Sequence, residues 1–107
     1  MAVNSREAMP VLLDLFHSGD EHTRIFSIFQ VGELGLRGKE IDPEIVRRLL
    51  QLESDKNAAV RGELAHTLGK IHHFDEVRGE VKACLRKLVK DPHESVRERA
   101  SQSLGLV

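Results

Sequence analysis

Six histidines, one cysteine and three similarly placed arginines are the side chains of this 107-residue chain with the most obvious chemical potential. Two metal ligands on one helix need i, i+3 or i, i+4 spacing to point at one ion. Glu63 and His66 meet that condition, but one such pair arises by chance in a charged helix. His72 and His73 are adjacent and diverge if helical, and the Glu94 that follows His93 already has a capping role at a helix start. Neither a metal centre nor a cofactor is therefore expected. Cys84 would need a depressed pKa and a neighbouring base to act as a nucleophile. It stands beside an apolar stripe, which favours an inert core thiol. No glycine-rich phosphate loop follows a strand, because no segment alternates as strands do. No catalytic residue is assigned, and the chain is expected not to be an enzyme.

The arginines recur with their surroundings. DKNAAVRGELAHTLG, residues 55–69, returns as DPHESVRERASQSLG at 91–105 and, more degenerately, as SGDEHTRIFSIFQVG at 18–32. Val60-Arg61 lies 36 residues before Val96-Arg97, and Thr23-Arg24 lies 37 before Val60-Arg61. A unit of that length marks a repeat architecture.

The elements around these copies follow from apolar spacing. Ala8, Met9, Val11, Leu12, Leu13, Leu15 and Phe16 predict a helix, with Pro10 placing its regular start near Met9. Ser18 and Glu21 read as a capping box for a second helix over 21–36, apolar on several sides through Ile25, Phe26, Ile28, Phe29, Val31 and Leu34. Asp42-Pro43 opens a third helix running to about Glu53, and Asp55 caps the turn into the fourth. There Val60, Leu64, Leu68 and Ile71 form one narrow buried stripe with polar faces around it. A connection over 72–75 leads to a helix at about 76–90, and Asp91-Pro92-His93-Glu94 reads as the cap of the last. The sum is an all-α chain of three antiparallel helix pairs. A two-helix unit cannot enclose its own apolar stripe, so the pairs must stack and share one core.

A turn Asp, Val-Arg six or so residues on, a small residue near mid-helix (Ala65, Ala100) and Leu-Gly at the end together resemble the HEAT-like repeat, in the short form of phycobilisome-lyase-type repeats. The resemblance covers nearly the whole chain and implies a right-handed α-solenoid, one domain over 1–107 with repeats of about 5–36, 42–71 and 76–107. It also implies a structural ladder in which Arg24, Arg61 and Arg97 bond turn aspartates, here Asp55 and Asp91, with Ser18 weakening the first rung. One enzyme family with this repeat, the deoxyhypusine hydroxylases, binds di-iron through His-Glu placed directly after the repeat arginine. Ile25-Phe26, Gly62-Glu63 and Glu98-Arg99 stand there instead, so that chemistry does not carry over. The likeness to bilin lyases is one of repeat alone.

Composition narrows the partners. Net charge is -1, with Lys+Arg 16 against Asp+Glu 17, which gives no global attraction for nucleic acid or an anionic membrane. Arg47-Arg48, Arg86-Lys87 and Lys90 cluster on first helices, but Glu44, Glu53, Glu76 and Glu80 dilute them. Trp and Tyr are absent, so base-stacking platforms are not expected. No run reaches the ~20 apolar residues of a membrane span, and no signal peptide is visible. A lone cysteine fits a reducing compartment, so a cytoplasmic location is expected. The expected partner is another protein or peptide, held by a concave face of the second helices through Gln30, Glu33, Glu63, His66, Lys70, Arg99 and Gln102. An enzyme component resembling a bilin lyase, or a nucleic-acid-binding domain, are the alternatives. Both ends of the stack read as unfinished, and Met9, Leu13, Phe16, Phe26 and Phe29 are expected to support a homodimer.

Overall fold

A computed structural model describes the backbone of residues 5–38, 41–71 and 75–106, and their side chains from residue 10 onward. Among these residues there are six α-helices and no strand: α1 (Ser5–Phe16), α2 (Glu21–Leu36), α3 (Pro43–Leu50), α4 (Ala58–Leu68), α5 (Arg78–Leu88) and α6 (Glu94–Leu106). Short 3-10 turns, Gln51–Ser54 and Asp75–Val77, extend α3 and precede α5. The helices lie in two rows, α1–α3–α5 and α2–α4–α6, with α4 packed between α2 and α6. The least extent of the molecule, 18 Å, is two helices thick. All-α stacking of helix pairs is thus realised, and the bounds of α2 fall where the sequence places them.

One core runs between the rows. Val60, Leu64, Leu68 and Ile71 of the predicted stripe are fully buried, as are Ile45, Val46 and Leu49 from α3 and Val81 and Leu85 from α5. The central helix differs from expectation in having more than one covered side. Gly62, Ala65 and Thr67 are buried too, because α4 has a neighbour on each flank and its small residues let both come close.

Several boundaries are corrected. α1 begins at Ser5 rather than near Met9, with Pro10 inside it. The proline removes one amide donor on an exposed side near the helix start, where the loss is tolerated. None of the three turn residues is the cap. Asp20 and Asn57 cap α2 and α4, accepting from the His22 and Ala59 amides, and Asp91 stands three residues ahead of α6. Ser18, Asp55 and Asp91 instead accept the amide hydrogen of the residue two positions on, at 3.1, 2.9 and 2.9 Å. This bends the chain sharply ahead of each second helix. Residues 72–74 of the predicted connection lie outside the described residues. Gly38, at φ 70°, takes the left-handed conformation that ends α2.

Glycines separate the rows' tightest contact from ordinary ones. A Cβ on Gly69 would stand 2.7 Å from Ser103 Oγ, which itself donates to the Ala65 carbonyl at 2.5 Å. On Gly62 the nearest atoms would be 3.8 Å away. Gly69→Ala is expected to destabilise by about 1–3 kcal/mol through overpacking. Gly62→Ala should stabilise by about 0.5–1 kcal/mol through backbone entropy. Urea unfolding of the two variants checks the opposite signs.

Candidate functional site

The second helices are held at each end by a different device. At their N-terminal ends the arginines bridge successive pairs. Arg24 grips Asp55 side-on, Nε to Oδ2 at 2.8 Å and Nη2 to Oδ1 at 3.2 Å, while Nη1 donates to the Ser18 carbonyl at 2.7 Å. Arg61 repeats this with Asp91 at 2.7 and 3.2 Å, and Nη1 donates to the Asp55 carbonyl at 2.7 Å. Each guanidinium thus joins its own turn to the next. Both pairs are largely withdrawn from solvent, with Asp55 and Asp91 side chains 7% and 6% exposed. Burial opposes ionisation of Asp91, but the Arg61 guanidinium and the His93 amide outweigh it and hold the carboxyl below its ordinary range. The bond to Asp91 raises Arg61 in turn.

Ser18 does not weaken the rung the sequence suggests. Arg24 takes its carboxylate from the following turn and is fully engaged, whereas among the described residues Arg97 bonds the Asp91 carbonyl alone, from Nη1 at 2.8 Å. The ladder runs forward, from each arginine to the next aspartate, and the incomplete rung is the last.

At the C-terminal ends the row opens into a shallow groove of ≈ 550 Å³. Gly35, Leu36 and Gly38 from the end of α2, His66, Gly69 and Lys70 at the end of α4, and Gln102, Ser103 and Leu106 from α6 line it. Leu36 and Leu106 are 61% and 63% exposed. Beside it, Lys70 Nζ lies 5.2 Å from the centre of the Phe29 ring, within cation–π range, and Phe26 is 55% exposed. The arrangement offers apolar contact with a few directional polar groups.

A profile for HEAT repeats matches residues 9–105. The chain belongs to the HEAT-repeat family. Comparison with curated proteins gives no match. HEAT repeats generally mediate protein–protein interaction.

On this HEAT-repeat scaffold the expected contact residues separate into groups. His66, Lys70 and Gln102 come together in the groove. Arg99 Nη1 and Glu63 Oε2 face each other at 3.7 Å, which occupies the Glu63 half of the Glu63–His66 pair. Gln30 and Glu33 are half-buried on α2 and do not line the groove. Leu36 and Leu106 are lining residues that spacing did not single out; Ser103, seven residues after Val96, lies where spacing puts it on this face but is 3% exposed. Leu36 and Leu106, large apolar residues one position after a helix-ending glycine, were the available signal. Of the residues expected to support a homodimer, Phe16 is 1% exposed and belongs to the core, because α1 turns it towards the shared interior. The Met9 side chain lies outside the described residues, and Leu13 is half-buried.

On the other row, Arg47 pairs with Glu80 at 3.3 Å, Arg48 with Glu44 at 2.9 Å and Lys87 with Glu53 at 3.1 Å. The basic residues of that face are interleaved with carboxylates. Cys84 is buried below it, and burial together with a hydrogen bond to Glu53 drives its thiol well above the ordinary range, which suppresses the thiolate.

Removing one partner of a buried pair leaves an uncompensated charge. Asp91→Ala is therefore expected to cost about 3 kcal/mol in chemical denaturation. Because the folded pKa of Asp91 is depressed, the unfolded state binds more protons between the folded pKa and the ordinary value of 3.8. The stability it supplies is present above 3.8 and is lost as pH falls through the folded value. Acid titration of stability should show a shallower fall in Asp91→Asn than in wild type.

Proposed function

We propose that this HEAT-repeat protein is a non-enzymatic scaffold that binds another protein through an extended or helical segment laid across the C-terminal ends of α2, α4 and α6. The single observation that supports this reading is the groove itself, where Leu36 and Leu106 are open to solvent on a rigid row of helices. Apolar anchors supply affinity when a partner removes them from water, at roughly 25 cal/mol per Å² before the costs of association. His66, Lys70 and Gln102 supply donors and acceptors that fix the partner's register. Lys70, already drawn over Phe29, extends the contact surface from the groove onto the aromatic part of α2. Binding of a peptide is thus favoured over a small substrate, since the lining is open and spread over three helices.

Affinity capture with the wild-type chain and with Leu36→Asp/Leu106→Asp tests the reading, with Arg47→Glu/Arg86→Glu on the other row as the control. Proteins bound through the groove should be lost at least tenfold with the first variant and retained with the second. Equal capture by the groove variant would remove the groove from the function.

A further inference from the structure

The groove has charge of one sign on its lining. His66 and Lys70 are its only ionisable side chains, and no carboxylate lines it. Four residues separate the two, and Gly69 between them keeps helical dihedrals, so both side chains lie on the same side of one turn. That turn belongs to α4, which has a helix of its own row packed on each flank. The pair therefore stands in the middle of the row.

Lys70 is positioned rather than loose. Its Cδ stands 3.1 Å from where a Cβ on Gly32 would be, and its Nζ lies 5.2 Å from the centre of the Phe29 ring, one turn back along α2. The stem is thus laid on the neighbouring helix and the half-buried side chain holds its ammonium beside the groove. An ammonium has three donors, and attraction to a ring face leaves them free for oxygen acceptors. Among the described residues neither Lys70 nor His66 makes an ion pair or a side-chain hydrogen bond. The carboxylates nearest in sequence do not serve them: Glu63 faces Arg99 at 3.7 Å, and Glu33 is half-buried outside the lining. Arg37, the residue after Leu36, adds an exposed cation.

Apolar anchors beside unmatched donors of positive sign define a complementary ligand. We propose that the groove selects acidic segments of a partner protein, taking apolar side chains on Leu36 and Leu106 and an Asp or Glu carboxylate on Lys70 and His66. This rests on the groove being the binding surface and adds which segment it takes. A basic segment would set like charge against Lys70. A nucleic acid would need a run of cations along its phosphates, and the lining has two ionisable groups among largely apolar neighbours. A carboxylate, by contrast, has two oxygens for the two donors.

Short random peptides displayed on phage and selected on the wild-type chain are the probe. The enriched sequences are expected to carry Asp or Glu close to apolar residues. Their synthetic versions, measured by fluorescence anisotropy, should bind about tenfold more weakly to Lys70→Gln/His66→Gln, and added salt should weaken wild-type binding. Changing the peptide's acid to its amide should cost wild type a similar factor and cost the double variant little, which places the carboxylate on these two side chains. A cation in the last turn also favours its own helix, so urea unfolding and circular dichroism establish that each variant is folded under the binding conditions. Leu36→Ser/Leu106→Ser removes the anchors without adding charge. Binding lost there but kept in Lys70→Gln/His66→Gln would overturn the acidic preference and leave the groove standing; binding untouched by either pair would remove the groove itself. Enriched sequences without acidic residues, no enrichment at all, or displacement of the peptide by a short DNA duplex would also overturn the proposal.

Discussion

Arg24–Asp55 and Arg61–Asp91 are the same interaction made twice, between residues about thirty apart in sequence and one hairpin apart in space. Desolvating two charges consumes much of what their attraction returns, so such a pair adds modest net stability over a well-packed apolar alternative. Its geometry does more. Two parallel bonds fix the plane of each guanidinium, and the third, to the carbonyl of its own turn, fixes that plane relative to the helix it stands on. A hydrophobic core shared by stacked hairpins tolerates sliding, because apolar contact has no preferred direction. The bidentate pair does not. A displacement of one helix along the next breaks both bonds and leaves a buried carboxylate without a partner.

The opposite end of the same helices has a second constraint of a different kind. Gly32 and Gly69 allow the following helix to come so near that a single methyl group would press on Lys70 and Thr67 at 3.1 and 3.2 Å in one case and collide with Ser103 at 2.7 Å in the other. With ion pairs setting the spacing at the N-terminal ends and glycines setting it at the C-terminal ends, α2, α4 and α6 have little freedom to splay. The groove is a consequence. Close approach brings Gly35, Gly69 and Ser103 to its floor, and the longer side chains that cannot fit between the helices, Leu36, Lys70 and Leu106, are left at its rim and partly open to solvent.

How much of this was readable in the sequence depends on whether the signal was periodic or geometric. The stripe Val60, Leu64, Leu68, Ile71 and the span of α2 follow from apolar spacing, and both match the structure. The participation of Arg24, Arg61, Asp55 and Asp91 in one ladder followed from their recurrence and the family likeness. Its direction did not. Spacing places an arginine and an aspartate near one another without saying whether the bond closes within a hairpin or between two, and that choice decides whether Arg24 or Arg97 is left incomplete. Caps were misplaced for a related reason. Ser18, Asp55 and Asp91 have the right chemistry for N-caps, but their oxygens are taken by the amide two residues on, and capping passes to Asp20 and Asn57. Apolar spacing leaves Phe16 open to either an interface or a core role, because the first pair is so apolar overall; only the packing of α1 shows which of its large residues the interior absorbs.

The distribution of charge separates the two rows. On α3 and α5 several basic groups stand within 3.3 Å of a carboxylate, Arg47 with Glu80 and Lys87 with Glu53 between elements, Arg48 with Glu44 along one helix. Such exposed pairs add little stability, but they cancel one another's field beyond a Debye length of roughly 8 Å at physiological salt. With a net charge of -1 and these cations matched, that row carries little long-range field for a polyanion. Selectivity must come from contact. At the groove rim, where Lys70 is drawn over Phe29, the molecule presents groups whose interactions a partner could complete. The groove asks for apolar cover with a few directional polar contacts, a different chemical demand from the charge matching of the other row.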